Sequence, residues 1–326
     1  MSEAVGSTQR SAALARVAAL AQAGRTSEAL EGLHALGALA DPEALVSLGD
    51  LYWHGRAVAR DEVLARDFFR RGSDAGHPLG RTVFTNLQAN GVAGARDWGG
   101  ALGRLSEEAR TDPVRARTLS LIQAMDLDAA GEPRRIADGE VLSERLPVTI
   151  HRRLLTPAEC AYIAGLAEPH HRRSTVIEAD GREVAHPIRS SDGAQLHWLI
   201  EDPAVHAINR RLAAASRTTF DQAEPMYVLR YQPGQQYAPH LDALPGLENQ
   251  RFRTALVYLN DDYAGGETAF PLIGLKVKGA VGDVLVFDNT DSEGRAHPLS
   301  QHAGLPVTEG VKRLASRWIR ARRHTP

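Results

Sequence analysis

Cysteine is almost absent: Cys160 is the only one in 326 residues. That excludes an intramolecular disulfide and any metal site built on several thiolates, and it fits a reducing compartment. Charge of one sign is lacking as well. Thirty-eight Lys and Arg stand against 40 Asp and Glu, a net charge of −2 with a sequence pI of about 6.7, so there is no electrostatic footprint for nucleic acid. The one local excess, Arg313, Arg317, Arg320, Arg322 and Arg323, reads as a solvated strand face or tail, with a phosphate- or acid-binding patch as the alternative. No apolar run reaches membrane-spanning length, and the opening Met1-Ser2-Glu3-Ala4-Val5-Gly6 has no basic segment ahead of an apolar one. These absences predict a cytoplasmic protein with neither nucleic acid nor membrane as partner. The 43% of hydrophobic residues are enough for a sizeable core, and the length favours two domains.

Residues 8–38 are rich in Ala and Leu, with apolar positions at helical spacing (Leu14, Val17, Leu20, then Ala29, Leu30, Leu33, Leu36) and a break at Gly24, which predicts two short helices. From residue 44 the chain repeats itself at an offset of 36: Ala44 with Gly80, Leu48 with Phe84, Gly55 with Gly91, Val58 with Gly94, Asp61 with Asp97, Ala65 with Ala101, Phe69 with Leu105. The block Ala44-x-x-x-Leu48-Gly49-x-Leu51-Tyr52-x-x-Gly55 followed by Asp61-x-x-x-Ala65 resembles a Sel-type repeat, a relative of the tetratricopeptide helix pair. Small residues in such repeats let paired helices approach, and large apolar ones lock neighbouring units. Stacked pairs leave a concave face that docks a partner or macromolecular substrate; the alternative is a cover over the rest of the chain or a dimer contact. A shift to turn-forming and charged residues at 128–140 marks the expected boundary, giving a helical repeat domain over 1–135 and a second domain over 136–326.

In the second domain Thr156-Pro157-Ala158-Glu159 reads as a helix start, with Thr156 at the N-cap, Pro157 in the first turn and Glu159 closing a capping box. Cys160 falls in the apolar pattern of that helix and reads as a buried thiol rather than a nucleophile. From residue 225 onward short β-rich runs alternate with Gly, Pro, Asn and Asp. Candidate strands are 226–231, 254–259, 268–270, 275–277, 284–287 and 313–319, a pattern of sandwiches and barrels.

Within this region His240-Leu241-Asp242 is the one His-x-Asp of the chain. On extended backbone side chains at i and i+2 leave the same face, so an imidazole and a carboxylate can converge on one ion. A further ligand must come from elsewhere, and His297 and His302 are both placed to supply it. Two His and one carboxylate leave about three open positions on an octahedral ion, as in non-haem Fe(II) oxygenases.

Residues from about 145 to 322 closely resemble the catalytic domain of prolyl 4-hydroxylases, within the Fe(II)- and 2-oxoglutarate-dependent dioxygenases. The resemblance rests on Tyr231-x-x-Gly234-Gln235-x-Tyr237-x-x-His240-x-Asp242, Arg251-x-x-Thr254-x-x-x-Tyr258-Leu259-Asn260, Gly265-Gly266-Glu267-Thr268-x-Phe270-Pro271, Gly282-Asp283-x-Leu285-x-Phe287 and His302-Ala303-Gly304-x-Pro306-Val307-x-x-Gly310-x-Lys312. It implies an α+β chain of two domains, an all-α repeat array followed by a double-stranded β-helix, or jelly roll. It also implies His240, Asp242 and His302 as metal ligands and the catalytic centre, with His302 preferred to His297 because it opens the matched block. Lys312 would pair with the distal carboxylate of 2-oxoglutarate, and Tyr231 and Thr268 match positions that hydrogen-bond this co-substrate. Ser316 and Trp318 share the strand parity of Lys312. Tyr237, Arg251 and Trp318 match the substrate channel and Arg189 its substrate side, with packing or loop roles as the alternative for each. The implied chemistry uses Fe(II), 2-oxoglutarate and O2, with ascorbate as reductant, releases succinate and CO2, and hydroxylates a C–H bond, foremost of a prolyl residue in a peptide or protein docked by the repeats. Hydroxylation of another residue or of a free small molecule is one alternative. A catalytically silent repeat scaffold is another, disfavoured by the intact set of His240, Asp242, His302 and Lys312.

Overall fold

A computed structural model describes residues 2–174, 176–177, 183–184 and 188–326. The chain divides into two compact units, one of Met1–Ala116 with Trp198–Pro203 and Pro326, the other of Arg117–His197 with Ala204–Thr325. Among the described residues no helix is long and apolar enough to cross a membrane.

The first unit is built from helices α1 (Ser2–Gln22), α2 (Thr26–Ala38), α3 (Pro42–His54), α4 (Glu62–Asp74), α5 (Pro78–Asn90) and α6 (Trp98–Glu108), and α7 (Pro113–Gln123) follows. From α3 to α6 the helix starts are set by capping chemistry that recurs with the repeat. Asp41 accepts the Ala44 N–H at 2.9 Å ahead of α3, and His77 accepts the Gly80 N–H at 3.3 Å ahead of α5. Asp61 and Asp97 do the same for α4 and α6, both at 2.9 Å, each satisfying a donor that the first turn leaves without an intrahelical acceptor. Gly55 and Gly91 end α3 and α5 in the left-handed region, at φ 66° and 73°, where only glycine is unstrained. Close approach then requires small residues inside the pairs: a Cβ at Gly49 would lie 2.9 Å from the Phe69 ring, and one at Gly72 would lie 2.9 Å from Val46. Leu33, Leu36, Ala44, Leu45, Leu48 and Phe68 form the core these approaches close over. The unit also takes in the segment Trp198–Pro203, whose carbonyls at Trp198 and Leu199 accept from Asn90 and Asn86 at 3.1 and 2.9 Å.

Among the described residues the second unit holds helices α8 (Pro157–Ala167) and α9 (Pro203–Ala215) and sixteen strands. They are β1 (Glu140–Ser143), β2 (Val148–His151), β3 (Arg172–Arg173), β4 (Val176–Ile177), β5 (Glu183–Val184), β6 (Asp192–Leu196), β7 (Met226–Tyr231), β8 (Tyr237–His240), β9 (Arg251–Tyr258), β10 (Tyr263–Gly265), β11 (Thr268–Phe270), β12 (Leu275–Val277), β13 (Val284–Asp288), β14 (His302–Gly304), β15 (Val307–Gly310) and β16 (Lys312–Arg320). An eight-stranded antiparallel sheet runs β1-β2-β13-β9-β16-β7-β6-β3, and a four-stranded one runs β12-β11-β14-β8. From β7 onward the chain passes repeatedly between the two sheets, which is how a double-stranded β-helix winds. Both sheets contribute to one core: Phe270 of β11 meets Phe287 of β13 edge to face at 5.0 Å, among Ile150, Leu229, Tyr258, Leu285 and Leu314.

The capping box at α8 is present as expected. Glu159 accepts the Thr156 N–H at 2.7 Å while Thr156 Oγ1 accepts the Glu159 N–H at 3.3 Å. Cys160 is buried on this helix, and burial pushes its thiol up to about 12. Three of the C-terminal arginines are tied to separate partners. Arg317 is buried and donates to Phe220 O, Arg320 is held by Glu224 and Asn249 O, and Arg322 pairs with Glu248.

Candidate metal centre

The register between β14 and β8 sets His302 directly opposite His240, with ring centroids 4.3 Å apart. β8 ends at His240, so Asp242 reaches the same point from the bend just past the strand rather than by strand alternation alone. Asp242 Oδ1 lies 3.6 Å from His240 Nε2, and Oδ2 lies 3.7 Å from His302 Nε2. One ligand atom from each residue falls within 4.8 Å of the others, and among the described residues this is the one such cluster.

Each imidazole is turned by the backbone two residues before it. His240 Nδ1 meets Ala238 O at 2.9 Å and His302 Nδ1 meets Ser300 O at 3.0 Å. A carbonyl can only accept, so Nδ1 carries the proton in both rings and Nε2 presents its lone pair to the centre. Burial, with repulsion from His240, pushes His302 down to about 4, so it is neutral at neutral pH. Burial would raise the Asp242 carboxyl, but imidazolium charge beside it and the Thr254 hydroxyl outweigh that and hold the group well below the usual carboxylate range, so acid protonates His302 before the carboxylate. A neutral imidazole and an ionised carboxylate are the forms a divalent ion requires. The rings are confined by aromatic neighbours, Tyr237 stacked on His240 at 3.5 Å and Phe287 edge-on to His302 at 4.7 Å. Nitrogen and oxygen donors in this two-His, one-carboxylate set fit Fe(II).

Behind the triad Lys312 opens β16 opposite Tyr231 of β7. It is 2% exposed and donates to the Gly266 carbonyl at 2.7 Å. Burial pushes its ammonium from 10.5 down to about 8, with Glu267 pulling weakly the other way. A buried cation whose hydrogen-bond acceptor is a neutral carbonyl fits an anionic ligand group. Tyr231 and Thr268 are buried beside it and line the same pocket of about 410 Å³, mouth included, together with the triad, Leu229, Leu256, Leu314, Ser316 and Trp318. The alternate residues of β16 thus face one cavity.

Arg189 and Tyr237 also line this pocket. The Arg189 guanidinium lies between the rings of Tyr227 and Tyr237, 5.1 and 4.9 Å from their centroids. Arg251 is not in the lining. It packs 4.2 Å over the Trp318 ring and makes two bonds to Glu224, at 2.6 and 2.7 Å, so it bears on the pocket through Trp318. His297 stands apart from the triad, capping a short 3-10 turn by accepting the Leu299 N–H at 3.2 Å.

Two residues join the site without having been singled out. Tyr258, buried, donates to Thr268 Oγ1 at 3.0 Å, and Thr254, also buried, donates to Asp242 Oδ2 at 2.6 Å. Both stand in the block Arg251-x-x-Thr254-x-x-x-Tyr258, so the signal was their even spacing, which puts them on the inner face of β9.

A family model described as the 2OG-Fe(II) oxygenase superfamily matches residues 226–320. The chain is 35% identical over 201 residues to Prolyl 4-hydroxylase 1 of Arabidopsis thaliana, a match covering 56% of this chain and 71% of that one. Among solved structures it is similar to a viral collagen prolyl hydroxylase from Paramecium Bursaria Chlorella virus-1 in complex with 2OG, at 26% identity and a TM-score of 0.41, covering 54% of this chain and 96% of that chain. A Sel1 repeat protein from Oxalobacter formigenes is also similar, at 22% identity and a TM-score of 0.32, over 35% of this chain and 90% of that one.

Proposed function

Because the chain belongs to the prolyl 4-hydroxylase family of 2OG-Fe(II) oxygenases, we propose that it hydroxylates a prolyl residue of a peptide or protein, releases succinate and CO2, and draws on ascorbate as reductant. It is a 2-oxoglutarate-dependent dioxygenase that uses Fe(II) and O2. The observation that carries the proposal is the convergence of His240, Asp242, His302 and buried Lys312 on one pocket.

In this reading His240 Nε2, His302 Nε2 and the Asp242 carboxylate would hold the metal. With 2-oxoglutarate, Fe(II) supplies the oxidising chemistry that puts an oxygen atom of O2 into a C–H bond. The protein's own residues do the rest. Lys312 binds the distal carboxylate, and Thr268, whose oxygen takes the Tyr258 proton and keeps its own to give, offers with Tyr231 hydrogen bonds along the co-substrate. Leu229, Leu256 and Leu314 keep water from the reacting centre. Arg189, Tyr237 and Trp318, further round the same pocket, orient the target.

The repeat array is read as the target-docking element. Its support is the recurrence of paired helices at a spacing of 36 residues, with starts at Thr26, Glu62 and Trp98 and at Pro42 and Pro78; stacked pairs of this kind build concave binding surfaces. Proline-containing peptides incubated with the enzyme, iron, ascorbate and 2-oxoglutarate should gain the mass of one oxygen on proline, with one succinate per turnover. Oxygen found on another residue or on a free small molecule would move the target, and no co-substrate turnover at all would favour the silent scaffold.

A further inference from the structure

Asp242 is not held by its own turn alone. Thr254 Oγ1 donates to Asp242 Oδ2 at 2.6 Å, and Asn289 Nδ2 donates to Thr254 Oγ1 at 2.8 Å. Thr254 and Asn289 are both 0% exposed, so no solvent competes for these bonds. The polarity of the chain follows from what each group can do. A hydroxyl has one proton and two lone pairs. With Asn289 donating into the oxygen, the single Thr254 proton is left for the carboxylate, which can only accept. Asn289 is itself fixed by the sheet: it follows β13, where Asp288 pairs with Arg253, and its N–H bonds Phe252 O at 2.7 Å. Its carbonyl accepts the His297 N–H at 2.9 Å, and the Ser300 hydroxyl gives its one proton to His297 O at 2.7 Å. Ser300 O in turn accepts from His302 Nδ1. Asn289 therefore bonds the support of Asp242 directly and reaches that of His302 through His297.

We propose that Asn289 and Thr254 are positioning residues for the metal centre, with Asn289 setting the direction of the Thr254 proton and Thr254 fixing the Asp242 carboxylate in one orientation. The proposal rests on the metal-binding role assigned above. Without the Thr254 bond the carboxylate can turn about its terminal torsion, and binding an ion must then select one orientation from several. Loss of partners that orient a ligand typically weakens metal affinity about 10–100-fold.

The test is calorimetric titration of the purified full-length protein with Co(II), a redox-stable probe, without 2-oxoglutarate, each variant first verified as folded by circular dichroism. Thr254→Val, which keeps the shape and removes the hydroxyl, should weaken Co(II) binding about 10–100-fold, and Thr254→Ser should restore most of the loss. Asn289→Ala should also weaken binding. Because Asn289 acts through Thr254, the double variant should lose no more than Thr254→Val alone. Wild-type affinity in Thr254→Val, or losses that simply add in the double variant, overturns the relay. If Thr254→Val does not fold, Asn289→Ala carries the test, and wild-type affinity there overturns it equally. Failure of the wild type itself to bind Co(II) would sink the metal reading as a whole, an outcome distinct from a wild type that binds and a Thr254→Val variant that binds as well.

Discussion

Replacing Lys312 by Met keeps an apolar stem of similar length and removes the ammonium, and the consequences can be worked from its surroundings. Burial moves Lys312 from 10.5 to about 8, which at 1.36 kcal/mol per pKa unit is about 3 kcal/mol against the charged form. Met, however, leaves the buried Gly266 carbonyl without its donor, a loss of about 1–3 kcal/mol. In the absence of 2-oxoglutarate the substitution should therefore change stability little at pH 7. The co-substrate complex is different, because removing one partner of a buried ion pair costs about 3–5 kcal/mol, or on the order of 10²–10³ in affinity. The pH dependence separates the two states. Between about 8 and 10.5 the unfolded protein holds the lysine proton that the folded, ligand-free protein has lost, so stability rises with pH in that window. Across it the wild type should gain on Lys312→Met by up to about 3 kcal/mol in denaturant titrations. Catalysis runs the other way, since kcat/KM for 2-oxoglutarate reports the free enzyme and should fall as pH rises through about 8. A KM for 2-oxoglutarate in Lys312→Met within about twofold of wild type, far short of the loss a buried pair implies, would refute the reasoning. So would a kcat/KM profile with no fall through that pH.

His240→Ala, Asp242→Ala and His302→Ala should each abolish Co(II) binding in calorimetry and 2-oxoglutarate turnover, with unchanged far-ultraviolet circular dichroism, whereas His297→Ala should retain both; the reverse pattern for the two histidines would move the ligand. Cys160, buried with its thiol pushed up to about 12, should resist a thiol reagent in the native protein and react fully in denaturant, and prompt native labelling would contradict that burial. A protein beginning near residue 140 and verified as folded should still bind Co(II) and decarboxylate 2-oxoglutarate slowly but hydroxylate a macromolecular target poorly. Unchanged catalytic efficiency on the full-length target would leave the repeats a structural cover. Removing the helices also strips Trp198–Pro203 of Asn86 and Asn90, so solubility and thermal stability of the shorter protein should fall.

The strands that the sequence marked are those whose own residues argue for them. Met226–Tyr231, Thr268–Phe270 and Leu275–Val277 appear with the expected bounds, because β-branched and aromatic residues run between turn formers. The strands that carry the metal ligands are another matter. β8 is Tyr-Ala-Pro-His and β14 is His-Ala-Gly; neither alternates, one contains proline, and each exists because a partner strand pairs with it. The juxtaposition of His302 with His240 is therefore a fact of register between segments 62 residues apart, and only the likeness of whole motif blocks pointed to it. Lys312 was more legible, since β16 is long enough for parity to place Lys312, Ser316 and Trp318 on one face. The same parity says nothing of Arg251, which reaches the pocket only through the ring it packs on.

For the repeats, periodicity of residue identity is a weaker record than periodicity of helix starts. α2, α4 and α6 begin at Thr26, Glu62 and Trp98 and α3 and α5 at Pro42 and Pro78, a spacing of 36 kept where the side chains have diverged. Asp112 ahead of Pro113 continues the series one residue early, accepting the Val114 N–H at 2.8 Å, although nothing after it in α7 matched the first two copies. From α3 to α6 the physical reason is that a cap must supply one acceptor at one place, while the helix faces behind it need only be apolar or small where neighbours meet; α2 keeps the spacing although Arg25 makes no side-chain cap bond. The contacts from Asn86 and Asn90 to the carbonyls of Leu199 and Trp198 lie beyond either signal, because a side chain that bonds a carbonyl reads no side chain in return. A segment held in that way leaves no trace in its own sequence, which is why the helical unit's claim on Trp198–Pro203 could be seen only in three dimensions.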